Sequence, residues 1–497
     1  MSQREETPLL GQEEDLDRQD HDESKKGWSL SGPSIYTIIT PYTFISIAML
    51  MLAPVEMNWA LTIVCNNHFG EDLSYSDARC QSPEVQAETS KYVSVFALIG
   101  GLVSLYSMPY FCGLSDRYGR LPFMKLFVVG HGLQVLLMVL ILINWQNSSI
   151  VLMIVPYILS GLLCGPTQSP MVIPLVSSYI GDAVGTPHRT TAMSLMQSAN
   201  MIGKAVGPFL SGWLLKRNLG ITNAMLGAVI IDVIALLTLY VYTPESLTEI
   251  AREQAEAHHE ARLNQDHGLP QWRVWLRRAN ILNPVYRLYE LTSHQSPKAK
   301  RNIFILLAME LLYQIIISSR AGLAVLYPEM KFGWTATDVG YLQSATAVYR
   351  IIVLTVVSPL AIKALQSYYR ETRVTTTVSY TDTFILRVGN LMESEGYLGY
   401  GLAHNGFQYA VSYFVSTTGV VAKVAVSTAL LNLAPTGTLG IFLGAKGVLE
   451  SVSGVLFSSA GLQLYSYTVT RWPELLFFIC SAGYFTVVIM SCFLIIH

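Results

Sequence analysis

Apolar residues run through this chain in long unbroken stretches, and the stretches recur at regular intervals. A helix that crosses a bilayer needs about 20 mostly apolar residues, because hydrocarbon offers no partner for an unpaired backbone N–H or C=O. Such stretches fall at 37–63, 92–112, 123–143, 150–175, 190–214 and 221–243, and again at 302–326, 338–361, 382–403, 405–430, 437–463 and 473–496. The pattern predicts an all-α membrane protein with twelve transmembrane helices, six and six, in two halves separated by a polar break.

The polar positions divide the chain further. Residues 1–34 carry Glu13, Glu14, Asp15, Asp17, Asp20, Asp22 and Glu23 with almost no large apolar side chains. Such a segment cannot bury enough surface to fold, so a disordered cytosolic tail is expected. It lacks the basic start, apolar core and cleavage site of a signal peptide. The break at 244–301 holds Glu253, Glu256, His258, His259 and Glu260 and is too polar to span. It reads as a cytosolic linker between halves at 35–243 and 302–497. Within it, Gln271 to Leu291 mixes Trp272, Trp275, Tyr286 and Tyr289 with four arginines. That segment reads either as an interfacial amphipathic helix or as a solvated basic linker.

Composition agrees with the lipid reading: 51% of residues are hydrophobic and 13% charged, against about a quarter charged in a soluble domain. With 32 basic and 34 acidic residues, the balance suggests no nucleic-acid partner. Lys and Arg concentrate in the loops on the tail side, which places both termini in the cytosol; Lys216 and Arg217 are a local exception. Six cysteines occur without a Cys-x-x-Cys pair, so no metal or cofactor is expected. Cys65 and Cys80 fall in one polar external loop and form either a disulfide or two free thiols. Asn147-Ser148-Ser149 is a glycosylation sequon on the same side. A P-loop, a His-Glu-x-x-His and a Gly-x-Ser-x-Gly are all missing, which disfavours an ATP-driven pump or a membrane hydrolase and points away from an enzyme. A channel or a non-transporting receptor remains an alternative.

An ionisable side chain inside a span costs about 2.5–3.5 kcal/mol on insertion scales, so each one present suggests function. Polar and charged residues within the runs include Glu56, Asn58, His131, Lys204, Asp232, Glu310, Arg350, Lys423, Lys446 and Glu450. Lys446 and Glu450 are four apart and can neutralise each other on one helix face. Asp232, Glu310 and Arg350 fall near the middles of their spans and are expected either to line a central cavity or to pair between helices in the interior. Glu56 lies toward the external end of span one and either faces the interface or, because Glu56 and Glu310 are on the first span of each half, where midplane cavities are built, is with Glu310 a candidate proton or substrate carboxylate. Tyr313, Trp334, Tyr341, Tyr349, Phe407, Tyr409, Tyr413 and Phe414 cluster in the second half. They would either stack on an organic ligand or serve as ordinary packing and interface residues.

The loop after the second span reads Gly113-Leu114-Ser115-Asp116-Arg117-Tyr118-Gly119-Arg120. Here the chain resembles the major facilitator superfamily, whose signature in this loop has the form G-x-x-x-D-R-x-G-R. Two departures stand out: the leading glycine falls on Cys112, with Gly113 one place late, and Leu121-Pro122 replace a further basic residue. The resemblance implies that Asp116 pairs across the two halves when the carrier opens outward, with Arg117 and Arg120 holding the loop. Gly203, Gly207, Pro208 and Gly212 on span five resemble a weakened antiporter motif with Ser211 in place of a second glycine; helix packing alone also explains them. Span four lacks the arginine of many proton-driven exporters. Gly181-Asp182 with Arg189, and Pro244-Glu245-Ser246-Leu247, also match family positions.

Over residues 35–496 the chain looks like fungal major facilitator proteins, with relatives among the proton-coupled folate carriers, as in Pro83-Glu84-Val85-Gln86 after the cysteine loop and Gly333-Trp334 before span eight. This implies a monomer in the lipid bilayer that moves a small organic solute by alternating access, with protons as the coupling ion. Export of a secondary metabolite or drug-like compound is expected, with uptake or vacuolar transport as the alternative. The plasma membrane is the expected location. The acidic dileucine pattern ending in Leu9 and Leu10 would instead direct the protein to a vacuole.

Overall fold

The structure is a computed structural model that describes residues 33–144, 150–164, 172–184, 189–217, 220–247, 249, 252–253, 297–369, 380–432 and 439–494. Leu9, Leu10, Asn147 and most of the linker lie outside the described residues.

The helices follow the apolar runs. The first half contains Ile35–Phe69, Pro83–Tyr118, Arg120–Ile143, a fourth rod built from Ile154–Leu159 and Val172–Ala183, then Arg189–Lys216 and Gly220–Val241. The second half contains Pro297–Ser319 continued by Leu323–Phe332, then Ala336–Ile352 continued by Ser358–Tyr369, Tyr380–Leu402, Gly406–Thr418 continued by Val421–Asn432, Leu439–Thr468 and Leu475–Ser491. We number these rods as spans one to twelve. Among the described residues, seven helices are each long and apolar enough to cross a membrane.

Several helices outrun the apolar segments because polar caps extend them beyond the hydrocarbon. Span one begins at a capping box in which Ser34 and Thr37 bond each other's backbone, and ends at Gly70 in the left-handed region. Span seven breaks after Ser319 and resumes to Phe332, past the end of its apolar run at 326. Span eight starts from a Thr335–Asp338 capping box.

The polarity of the bundle is inverted relative to a protein folded in water. On span three, Val129, Leu133, Leu136, Leu140 and Ile143 are exposed at helical spacing, whereas His131 and Gln134 on the same helix are buried. Apolar side chains face outward because lipid is their solvent; polar ones turn inward because only protein can bond them.

Small residues set how closely the rods approach. A Cβ on Gly207 would sit 2.7 Å from the Met51 backbone nitrogen, and one on Gly203 would sit 2.7 Å from the Ser46 Cβ, so span five lies directly on span one. Gly212 serves another contact, since its carbonyl accepts from Thr337 Oγ1 of span eight at 3.2 Å. The span-five glycines therefore pack within the first half and also against the second.

Replacing Gly207 with Val should cost about 1–3 kcal/mol through overpacking. Thermal unfolding of the purified chain in detergent checks this, with an unchanged midpoint counting against the close span-one contact.

Candidate transport site

A cavity of about 920 Å³ lies between the halves. The first half contributes Glu56 and Lys204 to its wall, and the second contributes Lys423 and Glu450. Its remaining lining is largely apolar, with Met49, Leu50, Leu105 and Met108 among it.

One end of the cavity is closed by contacts that cross from half to half. Asn58 Nδ2 donates to Glu329 Oε1 at 2.9 Å. Gln86 Nε2 donates to the Leu326 carbonyl at 3.1 Å, and its Oε1 accepts from the Tyr465 hydroxyl at 2.9 Å. Ser94 Oγ donates to Gln463 Oε1 at 2.6 Å, while Ser459 Oγ donates to the Ser94 carbonyl at 2.7 Å. A Cβ on Gly340 would come 2.6 Å from the Pro208 carbonyl, so spans five and eight touch backbone to backbone. These contacts gather toward the end that carries the loop between spans one and two. In that loop Cys65 and Cys80 are joined by a disulfide. Asp77 there accepts from the Arg79 backbone N–H and guanidinium, which hold its carboxyl below the usual carboxylate range.

The opposite end carries the Gly113–Arg120 loop, and its charges bond within the first half. Arg120 pairs with Asp116, and its Nε donates to Asp182 Oδ2 at 3.0 Å. Glu245 caps the start of span three, accepting the Arg120 N–H at 2.9 Å and the Leu121 N–H at 3.0 Å. A carboxylate suits that position because the first N–H groups of a helix have no partner within it. Gly119 makes this possible with a positive φ of 106°; a Cβ there would sit 2.5 Å from Glu245 Oε2. Three separate sequence motifs thus meet at one residue, Arg120: two at its guanidinium and one at its backbone N–H. Arg117 lies over the Tyr118 ring, 5.4 Å from its centroid, and Gly113 is exposed with nothing within 4 Å of a built Cβ. Asp116 is here paired inside its own half, and the cavity runs toward this end as far as Cys112.

The charged residues expected at the cavity separate into distinct places. Glu56 is on the wall, beside Tyr157 and within electrostatic range of His131. Asp232 is not on the wall: it is buried between spans three and six, where its Oδ2 lies 2.8 Å from His131 Nδ1. That pairing supplies what hydrocarbon cannot. Glu310 sits behind the wall, accepting from Ser427 Oγ at 3.1 Å, beside a small pocket it shares with Glu450. Arg350 also stands back from the lining, within electrostatic range of Lys204. The Lys446 side chain lies outside the described residues.

Part of the aromatic group is a packing cluster, while Phe407 is exposed and Tyr349 pairs separately with Phe414. Tyr409 is buried against Tyr327, Phe332, Trp334, Tyr400 and Tyr413, all in the second half. Tyr341 reaches Phe209 across the halves. Arg320, Glu329 and Glu393 were not anticipated. Arg320 occupies the break in span seven, over the Tyr397 ring, and Glu393 on span nine lies within electrostatic range of Arg320, Arg350 and Lys423. Arg320 and Glu393 fall inside predicted spans, so charge within an apolar run was the available signal; Glu329 lay three residues past the predicted end of its span.

The sequence model of the Major Facilitator Superfamily matches residues 48–458. The chain belongs to that superfamily. This major facilitator protein is 22% identical over 480 residues to the MFS-type transporter avaJ of Aspergillus versicolor, covering 93% of this chain and 90% of that one. Its fold is similar to the human organic anion transporter MFSD10, with a TM-score of 0.57 and 13% identity over 92% of this chain and 98% of that one. It is likewise similar to a D-xylose-proton symporter, with a TM-score of 0.58 and 14% identity over 93% and 98%. The chain is accordingly a membrane transporter of the major facilitator type.

Replacing Glu245 with Ala strips four backbone donors, those of Arg120, Leu121, Ser246 and Leu247, of their carboxylate and should lower stability by about 1–3 kcal/mol. Gly113→Ala, in the same segment but in open space, should be neutral or mildly stabilising. Thermal unfolding of the two variants side by side checks the difference; equal midpoints would show that the loop cluster contributes little.

Proposed function

We propose that the chain is a secondary active carrier that moves a small organic solute by alternating access and exports it from the cytosol. The observation that carries this reading is the cavity between the halves, bounded at one end by cross-half contacts and continuing toward the Asp116 loop at the other. In this reading 35–243 and 302–497 are the moving halves, joined by a cytosolic linker at 244–301. The Asp116 end faces the cytosol, and the conformation is open inward. Asp116 then exchanges its Arg120 pairing for one across the halves when the carrier turns outward. A charged latch suits such a two-state machine because it breaks and re-forms without repacking a core. The span-five glycine and proline pattern, which resembles that of exporters, supports the outward direction. The proton is the coupling ion in this account, and Glu56 carries it. Among the expected carboxylates, Glu56 and Glu450 stand on the wall of the cavity, and Glu56 is on the first span, where coupling sites of such repeats lie.

Metabolite profiling of cells with and without the gene identifies the solute, and its accumulation inside the deletion strain is the result expected for an exporter. In proteoliposomes that solute should then show saturable counterflow, which a channel cannot give. Glu56→Gln should retain counterflow but lose accumulation driven by a pH gradient. Undiminished pH-driven accumulation in that variant would assign coupling elsewhere.

A further inference from the structure

Two cations stand on the cavity wall and a third is set back behind it. Lys204 on span five and Lys423 on span ten stand on its wall, one from each half. Arg350 on span eight lies within electrostatic range of Lys204, which also feels Lys423. None of the three side chains forms an ion pair or a side-chain hydrogen bond among the described residues. The carboxylates nearby do not cancel them one for one. Glu393 lies within electrostatic range of Arg320, Arg350 and Lys423, and Glu56 within that of His131 in the first half. Glu450 occupies the span-eleven wall.

Each intramembrane cation is costly, and several held together in low dielectric repel one another. Retaining such a group is understandable if a negative charge spends part of the cycle among them. The cavity is also far larger than an inorganic ion requires: about 920 Å³ with an apolar lining is the size and character of an organic-ligand site.

We propose that the cavity takes an amphipathic organic anion, its acid group held between Lys204 and Lys423 with Arg350 set back behind them, and its apolar body against the Met49, Leu50, Leu105 and Met108 wall. This names the solute class of the carrier proposed above; it rests on that reading for transport but not for binding. The arrangement also links occupancy to movement. Lys204 belongs to one half, and Arg350 and Lys423 to the other, so an empty cavity holds like charges on opposing walls. An anion between them replaces repulsion with attraction on both sides and favours closure of the halves around it.

The test uses the full chain in lipid nanodiscs and a series of phenylalkyl carboxylates of increasing length, from phenylacetate through 4-phenylbutyrate to 8-phenyloctanoate. Each is paired with its methyl ester and with the amine of the same skeleton. Binding is read by ligand-induced thermal stabilisation and by microcalorimetry. Members of the acid series should bind about tenfold or more tightly than their esters, with the amines weakest. Lys204→Gln, Arg350→Gln and Lys423→Gln should each remove most of that preference, whereas Lys204→Arg should keep it. Monodispersity and an unchanged melting temperature without ligand show that a variant is folded; where a Gln variant is not, the matching Lys423→Arg or Arg350→Lys variant is compared instead and should keep the preference. Equal affinity for acid and ester, a preference for the amine, or no binding by any member overturns the proposal. Acid-selective binding without counterflow would leave this site standing and remove the carrier reading. Counterflow of solutes regardless of charge would do the reverse.

Discussion

Hydrocarbon can neither solvate a charge nor bond a bare peptide group, and this constraint decides the position of nearly every polar side chain in the bundle. Polar groups in the spans have two stable resorts. They pair with one another inside protein, as Asp232 does with His131 across spans three and six, or they face the cavity between the halves, as Glu56, Lys204 and Lys423 do. The same constraint turns Val129, Leu133 and Leu136 outward and places close backbone contacts where span five meets its neighbours. Glycine is needed there because two helices can approach to that distance only where no Cβ intervenes.

The two ends of the bundle differ in what holds them. At the disulfide end the contacts join one half to the other through neutral amides, hydroxyls and a buried carboxylate, Glu329. At the Asp116 end the strong interactions are charge-assisted and stay inside the first half, with Arg120 gathering Asp116 and Asp182 while Glu245 caps the adjoining helix start. Neutral cross-half bonds of this kind are each modest, about 0.5–1.5 kcal/mol net, so a seal made of a few of them can open on the scale of a ligand's binding energy. A charged cluster that closes on itself leaves its own end free to part.

Much of the fold was legible in the sequence because the apolar runs that mark spans are long, and the signature loop sits where the topology requires it. The site was only partly legible. Position along a span distinguishes the middle of the membrane from its edge but not one face of a helix from another. Sequence therefore left both Asp232 and Glu56 with a cavity and a non-cavity reading, and the structure separates them: one is sealed between two helices and the other stands on the cavity wall. Arg320 and Glu393 lie inside apolar runs and carried a readable signal. Glu329 did not, because span seven continues past its apolar run after a break at Ser319 that hydropathy alone does not reveal. Convergence of Asp182 and Glu245 on Arg120 was likewise invisible to spacing, since those residues come from loops far apart in the chain.

Alternating access requires the disulfide end to open in every cycle. Cysteines placed at Ser94 and Gln463, whose side chains meet at 2.6 Å, test this directly when cross-linked by mild oxidation in proteoliposomes. The account predicts that the cross-linked double variant stops transporting and recovers on reduction, while each single variant, and the parent chain taken through the same oxidation and reduction, keeps its activity. Transport that continues with spans two and eleven covalently joined at this point would contradict it.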